Sequence, residues 1–340
     1  MALGVEGIEV GQWTDQANGT GCTVVLPPAG SLGVASVRGG APGTREVPAL
    51  SPTGSVQECH GVILCGNSVF GLAAADGVVD WCEAQGRGLD LRVATVPVIG
   101  AAVVYDLHRA GTTRPTRDAG WAACEAASAA DPPMGSVGVG TGCTVGKIGG
   151  RQYAVKGGQG WAVASSGAIT VGAIMAVNAL GDIIDEDGTV LAGSLAPPGT
   201  SRFPHITGAE LAKLWTDGAG PDDADPDGGA DPDGGIDTNS LSRANTTIGC
   251  LVSNAKLSKP DAYRAVDLAH TGIARAVDPP HTSHDGDALF LLCTGQQESH
   301  TDLIAHLGAE AVAAAIRQAV RYADRTSESW DPSLGEGTNR

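Results

Sequence analysis

The chain is 340 residues long, with 38 acidic against 21 basic side chains and a net charge of −17. That balance argues against nucleic acid as a partner, because phosphate binding draws on clusters of lysine and arginine that are missing here. Apolar residues make up 42% and glycines number 50, which predicts one large α/β core with many tight turns. The lack of an apolar run of roughly 18 residues and of a basic, apolar leader predicts a cytoplasmic protein that neither spans nor meets a membrane.

In chain order, β-branched content with glycine or proline borders predicts strands over 22–26 and 61–64. Gly66-Asn67-Ser68 follows the second of these and precedes a predicted helix over 68–83, where Ser68 is placed to cap. The segment has the setting of a serine nucleophile elbow but the spacing G-x-S-x-x-G, one residue too long for that motif. A strand over 93–98 and a helix over 117–130 follow, then strands over 161–165 and 169–178. Gly142-Cys143-Thr144-Val145-Gly146-Lys147-Ile148 departs from a phosphate loop twice, since Thr141 and Ile148 stand where glycine and Ser/Thr are needed. The eight cysteines lack a close Cys-x-x-Cys pair and are expected to be small, reduced core residues.

A helix is predicted over 208–215. From Asp222 to Asp237 the chain carries two copies of Ala-Asp-Pro-Asp-Gly-Gly, and self-repelling charge with proline and glycine predicts a disordered linker over 217–240. The prolines and the missing final glutamate set it apart from a calcium-binding EF-hand loop. Then comes Asn245-Thr246-Thr247-Ile248-Gly249, opening a strand that is apolar on both faces over 246–254. Ser258-Lys259-Pro260-Asp261 starts a helix running to 277, a strand begins at Ala288, and an alanine-rich amphipathic helix covers 302–322.

Two segments carry chemistry. A hydroxyl at a loop-to-strand junction is placed to attack the preceding carbonyl, so that cleavage at Asn245-Thr246 would expose a threonine carrying both nucleophile and base. The plainer reading is a strand that begins with two β-branched threonines. In His281-Thr282-Ser283-His284-Asp285-Gly286-Asp287, the two-residue spacing points Asp285 and Asp287 to one side at a strand mouth. Such a pair is tolerated beside a cation, for which an N-terminal ammonium is one candidate; an Asp-Gly turn is the alternative. His281 and His284 lack a third ligand nearby, so no metal and no cofactor are expected.

These segments, with Thr20-Gly21-Cys22-Thr23, Val37-Arg38-Gly39-Gly40-Ala41-Pro42-Gly43, Gly66-Asn67-Ser68, Val104-Tyr105-Asp106, Lys147 and Val177-Asn178, follow one another in an order that resembles the self-processing aminopeptidases. That family includes L-aminopeptidase/D-amidase/esterases, β-aminopeptidases and endo-type nylon-oligomer hydrolases. The resemblance implies a four-layer α/β/β/α sandwich, a single catalytic domain over 1–340, and cleavage into fragments 1–245 and 246–340. It implies Thr246 as nucleophile with Asp285 and Asp287 orienting its amine, and Asn178 and Tyr105 at the oxyanion. By the same resemblance Lys147 holds the amine neutral, Gly66, Asn67 and Ser68 line the substrate pocket, and the αβ heterodimers form a homo-oligomer, a tetramer. Many relatives have glycine where Asn67 stands. Substrates would be short peptides or amino-acid amides. The Asp-Gly-Asp form resembles the nylon-oligomer enzymes, and ornithine acetyltransferases of similar architecture make acyl transfer the alternative.

Overall fold

A computed structural model describes residues 1–107, 113–148, 150–196 and 245–323. The predicted helix over 208–215 and the acidic linker over 217–240 lie outside the described residues.

Two five-stranded sheets dominate. The first runs in the order Glu9–Asp15, Thr20–Leu26, Gly61–Cys65, Ile99–Val103 and Thr44–Arg45. The second runs Gly158–Ser166, Ile169–Asn178, Thr246–Lys256, Ala288–Glu298 and Leu32–Val37. Each sheet contains one parallel pair among antiparallel neighbours: Gly61–Cys65 with Ile99–Val103, and Thr246–Lys256 with Ala288–Glu298. A parallel pair needs a crossover, and helices supply it in both cases, Ala74–Ala84 in the first sheet and Lys259–Ala269 in the second.

Apolar packing separates three interfaces. Helices Ala74–Ala84 and Arg117–Glu125 cover one face of the first sheet, burying Val78, Ala119 and Ala123 against Val24 and Ile63. The inner faces of the two sheets meet through Val25, Val62 and Leu64 on one side and Ile174, Ile248, Phe290 and Leu292 on the other. Lys259–Ala269 and the long helix Thr301–Arg321 cover the outer face of the second sheet, where Val266, Val312 and Ile316 pack on Leu251 and Leu291. Central strands are therefore buried on both faces, which explains their unbroken apolar runs. Thr301–Arg321 is long and apolar enough to cross a membrane, but 72% of its apolar window is buried within the fold.

Several expectations need correction. The segment over 93–98 holds only the two-residue strand Thr95–Val96, paired with Leu89–Asp90, and Val93 is exposed. The core strand lies just beyond, at Ile99–Val103, where Gly100, Ala101 and Ala102 weaken the β signal. Ser68 caps nothing: it begins a 3-10 turn, Ser68–Ala73, with a φ of 54° and no side-chain bond to the helix end, and the α-helix starts only at Ala74. The helix from Arg117 stops at Glu125. The segment from Ser258 breaks into helices Lys259–Ala269 and Thr271–Ala274 before a short strand, although Ser258 caps its start as the sequence indicates. Strands Glu9–Asp15 and Leu32–Val37 were not anticipated. All eight cysteines are buried and unbridged.

The loop after Leu32–Val37 clasps the segment that leads into Ala288–Glu298. Arg38 and Gly39 donate backbone N–H groups to the Asp287 carbonyl at 3.0 and 3.1 Å, and Ala41 donates to the Asp285 carbonyl at 2.8 Å. A Cβ on Gly39 would lie 2.3 Å from both the Asp285 oxygen and the Asp287 nitrogen, so the clasp closes only around glycine. Gly39→Ala is expected to cost about 1–3 kcal/mol in chemical denaturation, as overpacking does, whereas Gly30→Ala, which meets nothing within 4 Å, costs only the strain of its φ of +79°.

Candidate active site

Strand pairing gathers the chemistry. Thr246 begins the central strand of the second sheet and lies opposite Asn178 in the antiparallel ladder. On its other side the parallel ladder starts at Ile248 with Ala288, which sets Asp285, Gly286 and Asp287 beside Asn245, Thr246 and Thr247. Asn245, Thr246, Asp285, Asp287, Asn178 and Lys147 are all buried.

In the continuous chain the Thr246 hydroxyl donates to the Asn245 carbonyl oxygen. The Gly286 N–H donates to that same oxygen at 3.0 Å. The bond between Asn245 and Thr246 thus has its carbonyl polarised by one backbone donor and its neighbouring hydroxyl held against it. A Cβ on Gly286 would come within 3.1 Å of the Thr246 Oγ1.

The two carboxylates take separate sets of donors. Asp287 Oδ1 accepts the Thr247 N–H at 2.6 Å, and its Oδ2 accepts the His281 N–H at 3.1 Å and lies 2.8 Å from His281 Nδ1. Asp285 Oδ2 accepts the Thr282 N–H at 2.7 Å and the Thr282 hydroxyl at 2.6 Å. Burial, reinforced by the charge on Asp287, pushes the Asp285 carboxyl up to about 7. Both the turn bonds and the approach to the threonine strand are therefore present at once.

Lys147 reaches the site from the other side of Asn178. Its Nζ donates to the Asn178 carbonyl at 2.8 Å and to Asn178 Oδ1 at 2.9 Å. Burial, with a contribution from the Arg151 charge, lowers its ammonium to about 7. Asn178 Oδ1 also accepts the Thr144 N–H at 3.0 Å, and Asn178 Nδ2 donates to the Tyr105 carbonyl at 3.0 Å. These partners orient the amide, with its oxygen toward the cation and its nitrogen toward Tyr105. The Arg151 guanidinium stands 5.5 Å from the centre of the Tyr105 ring.

Gly66, Asn67 and Ser68 form a turn at the end of the first sheet, joined to the same network through Asp106. Asn67 is left-handed at φ 63°, a conformation asparagine tolerates better than most other side chains, so the turn forms without a glycine there. Its N–H donates to Asp106 Oδ1, and its Nδ2 donates to Thr20 Oγ1 at 2.7 Å. Burial pushes the Asp106 carboxyl up to about 6. Sequence reasoning quoted Asp106 only as part of a motif and gave no role to Thr282 or to the Gly286 amide. Among the described residues no group of three or more His, Cys, Asp or Glu side chains is gathered as a metal site would need.

The model of peptidase family S58 matches residues 3–330. An uncharacterized aminopeptidase of Mycobacterium tuberculosis strain H37Rv is 39% identical over 279 residues, covering 81% of this chain and 73% of that protein. A 6-aminohexanoate-oligomer endohydrolase of Paenarthrobacter ureafaciens is 28% identical over 294 residues, covering 85% and 74%. Among solved structures, the L-aminopeptidase D-Ala-esterase/amidase of Ochrobactrum anthropi, described as a variant of the Ntn hydrolase fold, superposes with a TM-score of 0.64 at 19% identity, covering 94% of this chain and 85% of that one. A β-aminopeptidase of a Burkholderia species gives a TM-score of 0.61 at 17% identity, covering 94% and 86%, and at such identities the likeness is one of fold. The chain belongs to peptidase family S58 and is a hydrolase of peptide or amide bonds.

Proposed function

We propose that this hydrolase activates itself by cutting between Asn245 and Thr246 and then works through the amino-terminal threonine. The observation that carries the reading is the paired contact on the Asn245 carbonyl oxygen, from the Thr246 hydroxyl and from the Gly286 amide. In the first step the Thr246 oxygen bonds to the Asn245 carbonyl carbon while its proton passes to ionised Asp285. The Gly286 N–H steadies the oxyanion. The carbon–nitrogen bond then breaks, the Thr246 nitrogen takes the proton, and an ester remains. Water cleaves the ester, leaving a carboxylate on Asn245, the free hydroxyl and a new α-amine.

In turnover, that amine is the general base: it takes the hydroxyl proton as Thr246 attacks the substrate carbonyl, and returns it to the leaving amine. Its reference pKa of ~8 favours the ammonium at neutral pH, so a cationic Lys147 serves it by repulsion, while Asp285 and Asp287 orient it. Asn178 Nδ2 and the Tyr105 hydroxyl serve the oxyanion, and the turn at Gly66, Asn67 and Ser68 borders the substrate. We place the chain in the four-layer α/β/β/α sandwich, a reading supported by the three apolar interfaces. The strand carrying Thr246 lies at the centre of its five-stranded sheet, which supports both fragments staying in one fold after cleavage; assembly of these αβ units into a tetramer is part of the same proposal.

Short peptides and amino-acid amides are the proposed substrates. The likeness to 6-aminohexanoate-oligomer endohydrolases favours a second class, linear oligoamides. A panel of aminoacyl p-nitroanilides and 6-aminohexanoate oligomers separates the two by their kcat/KM.

Denaturing electrophoresis with intact-mass analysis tests the cleavage. Wild type is expected to give fragments 1–245 and 246–340, and Thr246→Ala a single uncut chain; a Thr246→Ala protein that still splits at this bond would refute the mechanism. Asn178→Ala is expected to lower kcat by about 10²–10³, the usual cost of one oxyanion donor.

The pH dependence has a definite sign. Asp285 holds its proton up to about 7 and cannot accept another below that, so the rate of self-cleavage should climb as pH rises through this value. Lys147 lowers the Asp285 carboxyl by its charge, so Lys147→Met is expected to move the acid limb to higher pH. A time course of cleavage across pH, started from chains kept uncut, reads both effects.

A further inference from the structure

His281, dismissed as a metal ligand, is built into the carboxylate pair. Its backbone N–H and its ring Nδ1 both engage Asp287 Oδ2, at 3.1 and 2.8 Å, and its backbone is left-handed at φ 51° to make this possible. The backbone N–H can only donate, which aims this carboxylate oxygen at the imidazole edge. The other carboxylate oxygen holds the Thr247 N–H at 2.6 Å. One side chain thus links the imidazole to the residue that follows the nucleophile.

A second imidazole packs against that ring. His270 stands edge-on to His281, with ring centres 5.0 Å apart and planes at 66°. The His270 Nε2 lies 3.1 Å from the Ser36 carbonyl and must donate to it, which leaves Nδ1 of His270 bare. Neither that nitrogen nor His281 Nε2 has a partner among the described residues, and both are buried. The titratable and charged groups around His281 are Asp285, Asp287 and His284 on its own loop, His270 and Asp267 on the neighbouring helix, Arg38 on the clasp, and Lys147 across the site.

We propose that His281 is a positioning residue: its ring and its backbone N–H hold one oxygen of Asp287 and leave the other on Thr247, so that Asp285 is the carboxylate that takes up and releases the reaction's proton. The inference rests on the reading of Thr246 as nucleophile. The sign follows from the pair sharing a site. The Asp287 charge already raises the Asp285 carboxyl, and without the imidazole beside it that charge acts on Asp285 less compensated, so Asp285 gives up its proton at higher pH.

The experiment compares His281→Phe with His281→Asn, whose amide nitrogen stands near the place of Nδ1. Two readouts are taken: the pH profile of cleavage and amide hydrolysis, and the carboxyl titration of Asp285 followed by NMR in the Thr246→Ala background. His281→Phe is expected to move the acid limb and the Asp285 titration up by about one pH unit, the size of one charge-assisted hydrogen bond. His281→Asn is expected to bring both back. A folded His281→Phe protein with both readouts unmoved would overturn the inference, even if its thermal stability fell. So would a His281→Asn protein that behaves like the Phe variant. Should His281→Phe not fold, the Asn variant alone decides: an Asp285 titration at the wild-type position supports the inference, and one shifted upward overturns it. If wild type is neither cut nor active while the Asp285 titration moves as stated, the nucleophile reading fails and the His281 link stands.

Discussion

The parallel pairing of Thr246–Lys256 with Ala288–Glu298 is the constraint on which the rest depends. Parallel strands start at the same end of a sheet, so the segment before Ala288 must lie beside the segment before Ile248. The crossover helix Lys259–Ala269 makes that possible, and the antiparallel neighbour Ile169–Asn178 ends at the same edge. Thr246, the two carboxylates and the Asn178 amide are therefore delivered to one rim by hydrogen-bond register, before any side chain chooses a partner.

That rim is nearly dry, and dryness sets its chemistry. Asp285, Asp287 and Lys147 are each almost wholly buried, a costly state for charged groups. Each is compensated by short donors or acceptors from fixed backbone: Thr282 for Asp285, Thr247 and His281 for Asp287, and the Asn178 carbonyl for Lys147. Burial drives the Asp285 acid up and the Lys147 cation down to meet near neutrality, where small changes of environment decide which is charged. The same compensation explains the glycines. Gly39 lets backbone approach backbone where a methyl group would separate donor from acceptor, and a methyl group on Gly286 would press on the Thr246 hydroxyl at 3.1 Å.

Distant parts of the chain support this rim in a chain of contacts. The turn at Gly66, Asn67 and Ser68 belongs to the first sheet, yet it shares Asp106 with the segment whose Tyr105 carbonyl holds Asn178. Lys259 does comparable work behind the clasp, donating to the carbonyls of Ala49 and Gly54 at 2.8 Å each and so tying the crossover helix to the loop that follows it.

The alternation of buried strands and amphipathic helices is legible in the residues alone, because unbroken apolar runs and helical periodicity are local properties of Thr20–Leu26, Ile169–Asn178, Thr246–Lys256 and Thr301–Arg321. Ordered motifs marked Thr246, Asn178, Lys147 and the Asp-Gly-Asp segment as candidates. The run Gly100, Ala101 and Ala102 hides the strand Ile99–Val103 behind small residues that pack into a two-sided core, and Leu32–Val37 is hidden because its neighbour in the sheet comes from the other end of the chain. Folding alone brings the Gly286 amide to the Asn245 carbonyl, sets Asp287 on Thr247 while Asp285 turns to Thr282, and places His281 behind Asp287. Those contacts join residues through backbone groups every residue possesses, so no residue type announces them; they exist only when register brings the segments within hydrogen-bond distance.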